Sequence, residues 1–200
     1  MEKRVAIFDS DGVLIDTREL LYQILPRRWY RSLWRKPRLW DFVRKLAILV
    51  AGDRIYDERL RGIDVEAIRK IAEEYEIFII TKRPFWFGGK KRLMKQLDVI
   101  YGEGFFKPEQ VFSSFGKSKA KVTEQKILKG EKMQGIFVDD KKENLKGIPA
   151  GICPFYFNHY GSFYMTPNGI CDIYDLKQVF LVVDFLEGRE VYLSEDFEDV

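Results

Sequence analysis

"VAIFDSDGVLID", residues 5–16, carries both a fold signal and a chemical one. A short apolar run, 5–8, stops abruptly at two aspartates one residue apart, Asp9 and Asp11, followed by Gly12 and Val13. Two carboxylates so close at the end of a buried strand repel each other unless something neutralises them. The rest of the chain supplies companions for that pair.

Two later segments resemble the first. "IFII" (77–80) and "GIFV" (135–138), like "RVAIF" (4–8), are β-branched and aromatic without polar alternation, the pattern of strands buried on both faces of a parallel sheet. "DVEAIRKIAEEY" (64–75) places Val65, Ile68, Ile71 and Ala72 at helical spacing, and "SKAKVTEQKIL" (118–128) opens on a serine suited to cap a helix. "QVFSSF" (110–115) and "CPFYFN" (153–158) are weaker strand candidates, and "DLKQVFLVVDFLEG" (175–188) reads as a closing helix. Strands alternating with helices predict an α/β protein: a three-layer, Rossmann-like core around a parallel sheet.

About sixty residues separate the first strand from "IFII", far more than a simple crossover uses. Residues 17–63 hold three of the four tryptophans, Trp29, Trp34 and Trp40, together with Pro26, Pro37 and many basic side chains. This interval reads as a small α-helical insert. The expected division is therefore a core of residues 1–16 and 64–200, with a helical cap over 17–63.

The 200 residues, 46% of them hydrophobic, suffice for one sizeable core, and a net charge of +3 by itself names no partner. Cys153 and Cys171 lack the spacing of a zinc site; reduced thiols are the favoured reading, with a single bridge between them the alternative in a thermophile. No apolar run approaches a bilayer span and the first residues lack the apolar region of a signal peptide, so a cytoplasmic protein with no transmembrane segment is expected.

Each of the three apolar strands ends in a reactive group: Asp9 and Asp11 after the first, Thr81 after the second, Asp139 and Asp140 after "GIFV". Ligands of open parallel sheets bind at the carboxyl ends of the strands, so these groups are expected to converge. Oxygen donors without His or Cys select a hard cation, Mg2+. In such a site Asp9 is a candidate nucleophile, Asp11 a candidate acid and base, and Thr81 with a lysine a candidate seat for phosphoryl oxygens.

In the order "DSDGVL", "IIT", a helix-opening lysine and "FVDD", these motifs resemble the phosphatase branch of the haloacid dehalogenase superfamily over residues 4–16 and 77–158. The resemblance implies a Mg2+-dependent phosphomonoester hydrolase that forms an aspartyl phosphate on Asp9. It implies general acid and base work for Asp11, whose backbone carbonyl would also bind metal, and phosphate binding by Thr81. Lys119 matches the family's lysine, with Lys117 second. Asp140 matches the direct metal ligand and Asp139 one acting through water or hydrogen bonds, so that the implied metal set is Asp9, Asp11, Asp139 and Asp140. An aspartate at position 11 disfavours the dehalogenase and phosphonatase branches. The position of the insert matches the C1 helical cap.

"IITKRP" (79–84) is weakly similar to deoxyribonucleotidase-like members, which points to a nucleoside monophosphate or another small phosphate ester. Lys82 and Arg83 could touch a phosphate or pair with acids. The only histidine, His159, reads as a surface residue. The basic, aromatic stretch 26–45 reads as a solvated face, as a surface for nucleic acid, or as one for anionic lipid. Two alternatives to a hydrolase stand beside it: a phosphomutase of the same superfamily, and a non-catalytic module that binds nucleic acid or protein through the insert.

Overall fold

The computed structural model describes residues 4–15, 62, 64–158, 164–165 and 170–179. The expected helical cap (apart from Gly62), His159 and the closing helix beyond residue 179 lie outside them. Among the described residues no helix is long and apolar enough to cross a membrane.

The core is α/β, with helices on both sides of a seven-stranded sheet. In chain order the elements are β1 (Arg4–Phe8), α1 (Val65–Glu74), β2 (Glu76–Thr81), α2 (Gly89–Tyr101), β3 (Val111–Ser113), α3 (Lys119–Val122), β4 (Gln134–Asp139), β5 (Ile152–Phe157), β6 (Tyr164–Met165) and β7 (Cys171–Ile173). The spatial order is β3-β2-β1-β4-β5-β7-β6. Every neighbouring pair is parallel except β6 with β7.

The alternation within β1 explains why its sequence shows no polar face. Ala6 and Phe8 pack with Ala67, Ile68 and Ile71 of α1 and Leu93 and Leu97 of α2. Val5 and Ile7 join Phe78, Ile80 and Val122, Ile127 and Leu128 on the opposite face. Both faces of the strand are therefore dry, and fully burying each such side chain contributes about 2 kcal/mol.

Helix α1 begins where Asp64 accepts a hydrogen bond from the Ala67 N–H at 3.2 Å, and it closes as the Tyr75 N–H reaches Ile71 O. After α3 the chain widens into a π-helical segment, Thr123–Leu128, in which the Thr123 hydroxyl donates to Lys119 O at 3.0 Å. That back-bond competes with the ordinary helical ladder at the point where it widens.

The strand candidates at 110–115 and 153–158 are present but narrower or shifted, as β3 and β5. Helix α2 and the short strands β6 and β7 complete the list. Cys153 and Cys171 sit on adjacent strands and both are free thiols.

The chain builds outward from β1 in one direction through β2 and β3, then in the other through β4, β5 and β7. The reversal lies between β1 and β4, where Phe8 pairs with Val138. Such a crevice at the carboxyl ends of the strands is where open α/β sheets bind ligands.

Candidate active site

Asp9 and Asp139 flank that reversal. The Asp9 N–H donates to Val138 O at 2.9 Å, which carries the β1–β4 ladder one residue beyond the strand and fixes the two acids side by side. Asp9, Asp139 and Asp140 each bring a carboxylate oxygen within 4.8 Å of the others. Three acids this close in a buried crevice need countercharge.

Part of it comes from Lys119. Ser118 caps α3 by accepting from the Lys121 N–H at 3.2 Å, which makes Lys119 the first helical residue and turns it toward the strand ends. Its ammonium lies 2.8 Å from Asp9 Oδ1 and 2.6 Å from Asp139 Oδ2. Burial alone would lower its pKa, but the charges of Asp9 and Asp139 raise it. Lys117 lies elsewhere, lining a cleft of about 350 Å3 with Phe85, Trp86, Phe112 and Phe115.

Asp139 is saturated with donors. Besides Lys119, it accepts at Oδ1 from the Lys141 N–H and from Asn144 Nδ2, each at 2.9 Å. Its role is to hold Lys119 and the β4 end in place. In the sequence, Asn144 carries no signal, being a lone asparagine five residues past an acid.

Asp9 and Asp140 are different. Burial pushes the Asp9 carboxyl up to about 7; Lys119 opposes this, and Asp139, Asp11 and Asp140 add to it. Burial, with repulsion from Asp139 and Asp11, pushes Asp140 up to about 6. Asp140 Oδ1 is buried without a hydrogen-bond partner. Gly12 makes room for this carboxylate: at φ +86°, a Cβ added there would meet Asp140 Oδ2 at 2.5 Å. An orphaned buried oxygen, two acids whose charged forms are disfavoured by burial and then by neighbouring carboxylates, and an all-oxygen donor set fit a hard divalent cation. Asp9 and Asp140 would hold it.

Asp11 projects its carboxylate away from this cluster, toward Arg83. Arg83 Nε donates to Asp11 Oδ2 at 2.7 Å and Nη2 pairs with Oδ1. Burial alone would raise the Asp11 pKa; the Arg83 charge and hydrogen bonds, with a bond from Ser10 Oγ, hold it below the ordinary value. The Asp11 carboxylate, the candidate acid and base, is thus engaged with a guanidinium; the Asp11 group expected at a metal is its backbone carbonyl.

Thr81 ends β2 fully buried. Its Oγ1 accepts from Ser10 Oγ at 2.8 Å and from the Arg83 N–H at 3.1 Å, which fixes the hydroxyl beside the Asp9 loop. The Ser10 N–H donates to Asp9 Oδ1 at 2.7 Å. Ser10, the residue between the two aspartates, therefore ties nucleophile candidate, Thr81 and Asp11 together. Lys82 is exposed. The residues quoted from three strand ends and one helix start, Asp9, Asp11, Thr81, Lys119, Asp139 and Asp140, are assembled in one crevice, and Arg83 takes the acid-pairing option.

No protein-family model matches the chain, and no curated protein matches it in sequence. Solved structures do match its fold. A conserved haloacid dehalogenase-like protein from Agrobacterium tumefaciens superposes with a TM-score of 0.62 at 13% identity, over 92% of this chain and 98% of that one. A haloacid dehalogenase-like hydrolase from Burkholderia xenovorans gives 0.54 at 15%, over 93% and 99%. An L-2-haloacid dehalogenase gives 0.60 at 15%, over 92% and 100%. The chain has the haloacid dehalogenase-like fold.

Proposed function

From that fold and the acidic crevice, we propose that the protein is a Mg2+-dependent phosphomonoester hydrolase working through an aspartyl phosphate on Asp9. One observation carries the reading: the Asp9 carboxylate is buried, with Oδ1 held by the Ser10 N–H and Lys119, and has a second acid, Asp11, two residues on. With Oδ1 so held, the second oxygen is the one to attack phosphorus. The P–O bond to the leaving alcohol breaks, and Asp11 supplies the proton that oxygen needs. In the second half, water attacks phosphorus, Asp11 takes its proton, and the Asp9–phosphate bond breaks to release inorganic phosphate.

Mg2+ held by Asp9, Asp140 and the Asp11 carbonyl would screen the acids and the phosphoryl charge. Lys119 and Thr81 would carry the remaining phosphoryl oxygens. An L-2-haloacid dehalogenase shares the fold, and Asp11 is what favours phosphoryl chemistry here: a halide leaves without a proton and an alcohol does not. The substrate class is a small phosphate ester, with a nucleoside monophosphate favoured by "TKRP" at 81–84.

Phosphate release from p-nitrophenyl phosphate and from a panel of nucleoside and sugar monophosphates tests the reading. Release should require Mg2+, stop with EDTA, and fall ~10³-fold or more in Asp9→Asn. Product isomers in place of free phosphate would indicate a phosphomutase. Folded, Mg2+-loaded protein that releases nothing, yet binds nucleic acid with a steep salt dependence, would indicate a binding module using residues 26–45.

A further inference from the structure

We infer that the cleft beside the end of β3 is a binding subsite for a planar aromatic ring that carries negative charge: a nucleobase with a second phosphate beside it. A free nucleoside bisphosphate and the end of a single nucleic-acid strand both offer that chemistry. The inference rests on the hydrolase reading for what is cleaved, not for what is bound.

The elements that hold Thr81 and Lys119 run on into the lining of this cleft of about 350 Å3. Past Thr81, the chain that leaves β2 supplies Phe85 and Trp86. Past Lys119, helix α3 and the π-helical segment supply Gln125 and Lys126. Ser113 pairs in register with Thr81, and its hydroxyl donates to Arg83 O at 2.6 Å and accepts from the Phe115 N–H at 3.2 Å. The Ser114 N–H donates to Thr81 O at 2.8 Å, and the Lys117 N–H to Ser114 O at 2.8 Å. The cleft is thus tied to the phosphate seat by backbone. With neighbouring strands about 5 Å apart, the end of β3 stands two spacings, about 10 Å, from Asp9, a gap spanned by a phosphate and its sugar.

Exposure and charge name the occupant. Of the four large apolar side chains exposed among the described residues, two meet here: Trp86 at 62% and Phe115 at 52%, edge to face with ring centroids 4.7 Å apart. A ring stacked on them supplies the burial they lack, worth about 10- to 100-fold in affinity for one base. An uncharged apolar partner would suit the rings alone, but among the described residues the lining also brings the ammoniums of Lys117 and Lys126 and no carboxylate. A third ammonium, on Lys90, lies 5.7 Å from the centre of the Phe85 ring. Charge of one sign around exposed rings selects an anion that stacks. The helical widening that carries Gln125 and Lys126 begins directly after α3, and such widenings recur at functional sites.

A series sharing a 5′-phosphate tests this: ribose 5-phosphate, adenosine 5′-monophosphate, adenosine 3′,5′-bisphosphate and a 5′-phosphorylated tetranucleotide. Calorimetric binding with Mg2+ to Asp9→Asn reads the subsite without turnover, and kcat/KM of the parent protein reads it with turnover. Affinity should rise by about tenfold or more from ribose 5-phosphate to the monophosphate, and again to the bisphosphate. The first gain should be lost in Trp86→Ala and survive in part in Trp86→Phe. The second should be lost when Lys117→Gln and Lys126→Gln are combined, and should shrink as salt rises. A further gain for the tetranucleotide supports the subsite with a strand end as its source; an equal affinity supports it with a free nucleotide. Phosphate release and binding indifferent to the ring and the added charge overturn the inference and leave the hydrolase reading intact. Graded binding to Asp9→Asn in a protein whose parent releases no phosphate does the reverse. A uniform loss in Trp86→Ala with the ratios preserved makes Trp86 structural and also overturns it. So does sedimentation of a dimer that Trp86→Ala dissociates with the ligand series unchanged, which makes the cleft an interface between two copies.

Discussion

The Lys119 ammonium lies 2.6 Å from Asp139 Oδ2, with both side chains wholly withdrawn from solvent. A buried pair of this kind is held by mutual dependence: deleting one partner strands the other's charge, at a cost of about 3–5 kcal/mol. Lys119→Met should therefore lower stability by about that amount in EDTA, and Mg2+ should recover part of the loss by supplying charge to the same acids. Urea denaturation with and without Mg2+ measures both effects. An equal loss in the two conditions would separate Lys119 from the metal.

Asp9 and Asp140 set a pH dependence of definite sign. Their carboxyls are pushed up to about 7 and about 6, above the ordinary value of 3.8, so the folded protein binds more protons than the unfolded chain between those limits. Their contribution is fully present below the ordinary value and is lost as pH rises through the raised ones. Asp11 has the opposite sign, but its lowered pKa acts only in more acidic solution. Metal-free protein should be more stable at about pH 5 than at about pH 7.5, and Mg2+ or Asp9→Asn should flatten the difference. Thermal melts in EDTA and in Mg2+ provide the comparison.

Gly12→Ala is expected to strike the metal seat and the backbone together. The new Cβ would stand 2.5 Å from Asp140 Oδ2 on a residue at φ +86°. About 1–3 kcal/mol of strain follows, with Mg2+ affinity lowered by about tenfold as Asp140 is displaced. Calorimetric Mg2+ titration of folded Gly12→Ala reads the second effect separately from the first.

Asn144→Leu removes a 2.9 Å hydrogen bond to buried Asp139 Oδ1, at an expected cost of about 1.5–3 kcal/mol because the acceptor is charged. Asn144→Asp should cost more, since it sets a second carboxylate against the first. The order of the two in urea midpoints is the check.

Much of the crevice is legible in the sequence because parallel strands hand their next residue to one edge of the sheet: Asp9, Thr81 and Asp139 follow directly from where three apolar runs stop. The lysine is legible only as a cluster. Lys117, Lys119 and Lys121 share one short stretch, and the Ser118 cap decides which begins the helix. Arg83 could be read either way, since pairing with Asp11 joins residues 72 positions apart. Asn144 leaves no pattern, because a single amide acquires a role only from its neighbours in space. Strands β6 and β7 span two and three residues, too few for any periodicity to register.

At the mouth of the sheet, Ile15 forms an antiparallel bridge with Gly62, where a Cβ would meet Ile100 Cγ2 at 2.3 Å. Ile15 and Gly62, far apart in the chain, are therefore fastened to each other. If residues 17–63 form the expected cap, a core bridged in this way predicts that most of them can be replaced by another module or a tight turn while the sheet stays folded. Grafting and excision at this one joint would show what the crevice does on its own.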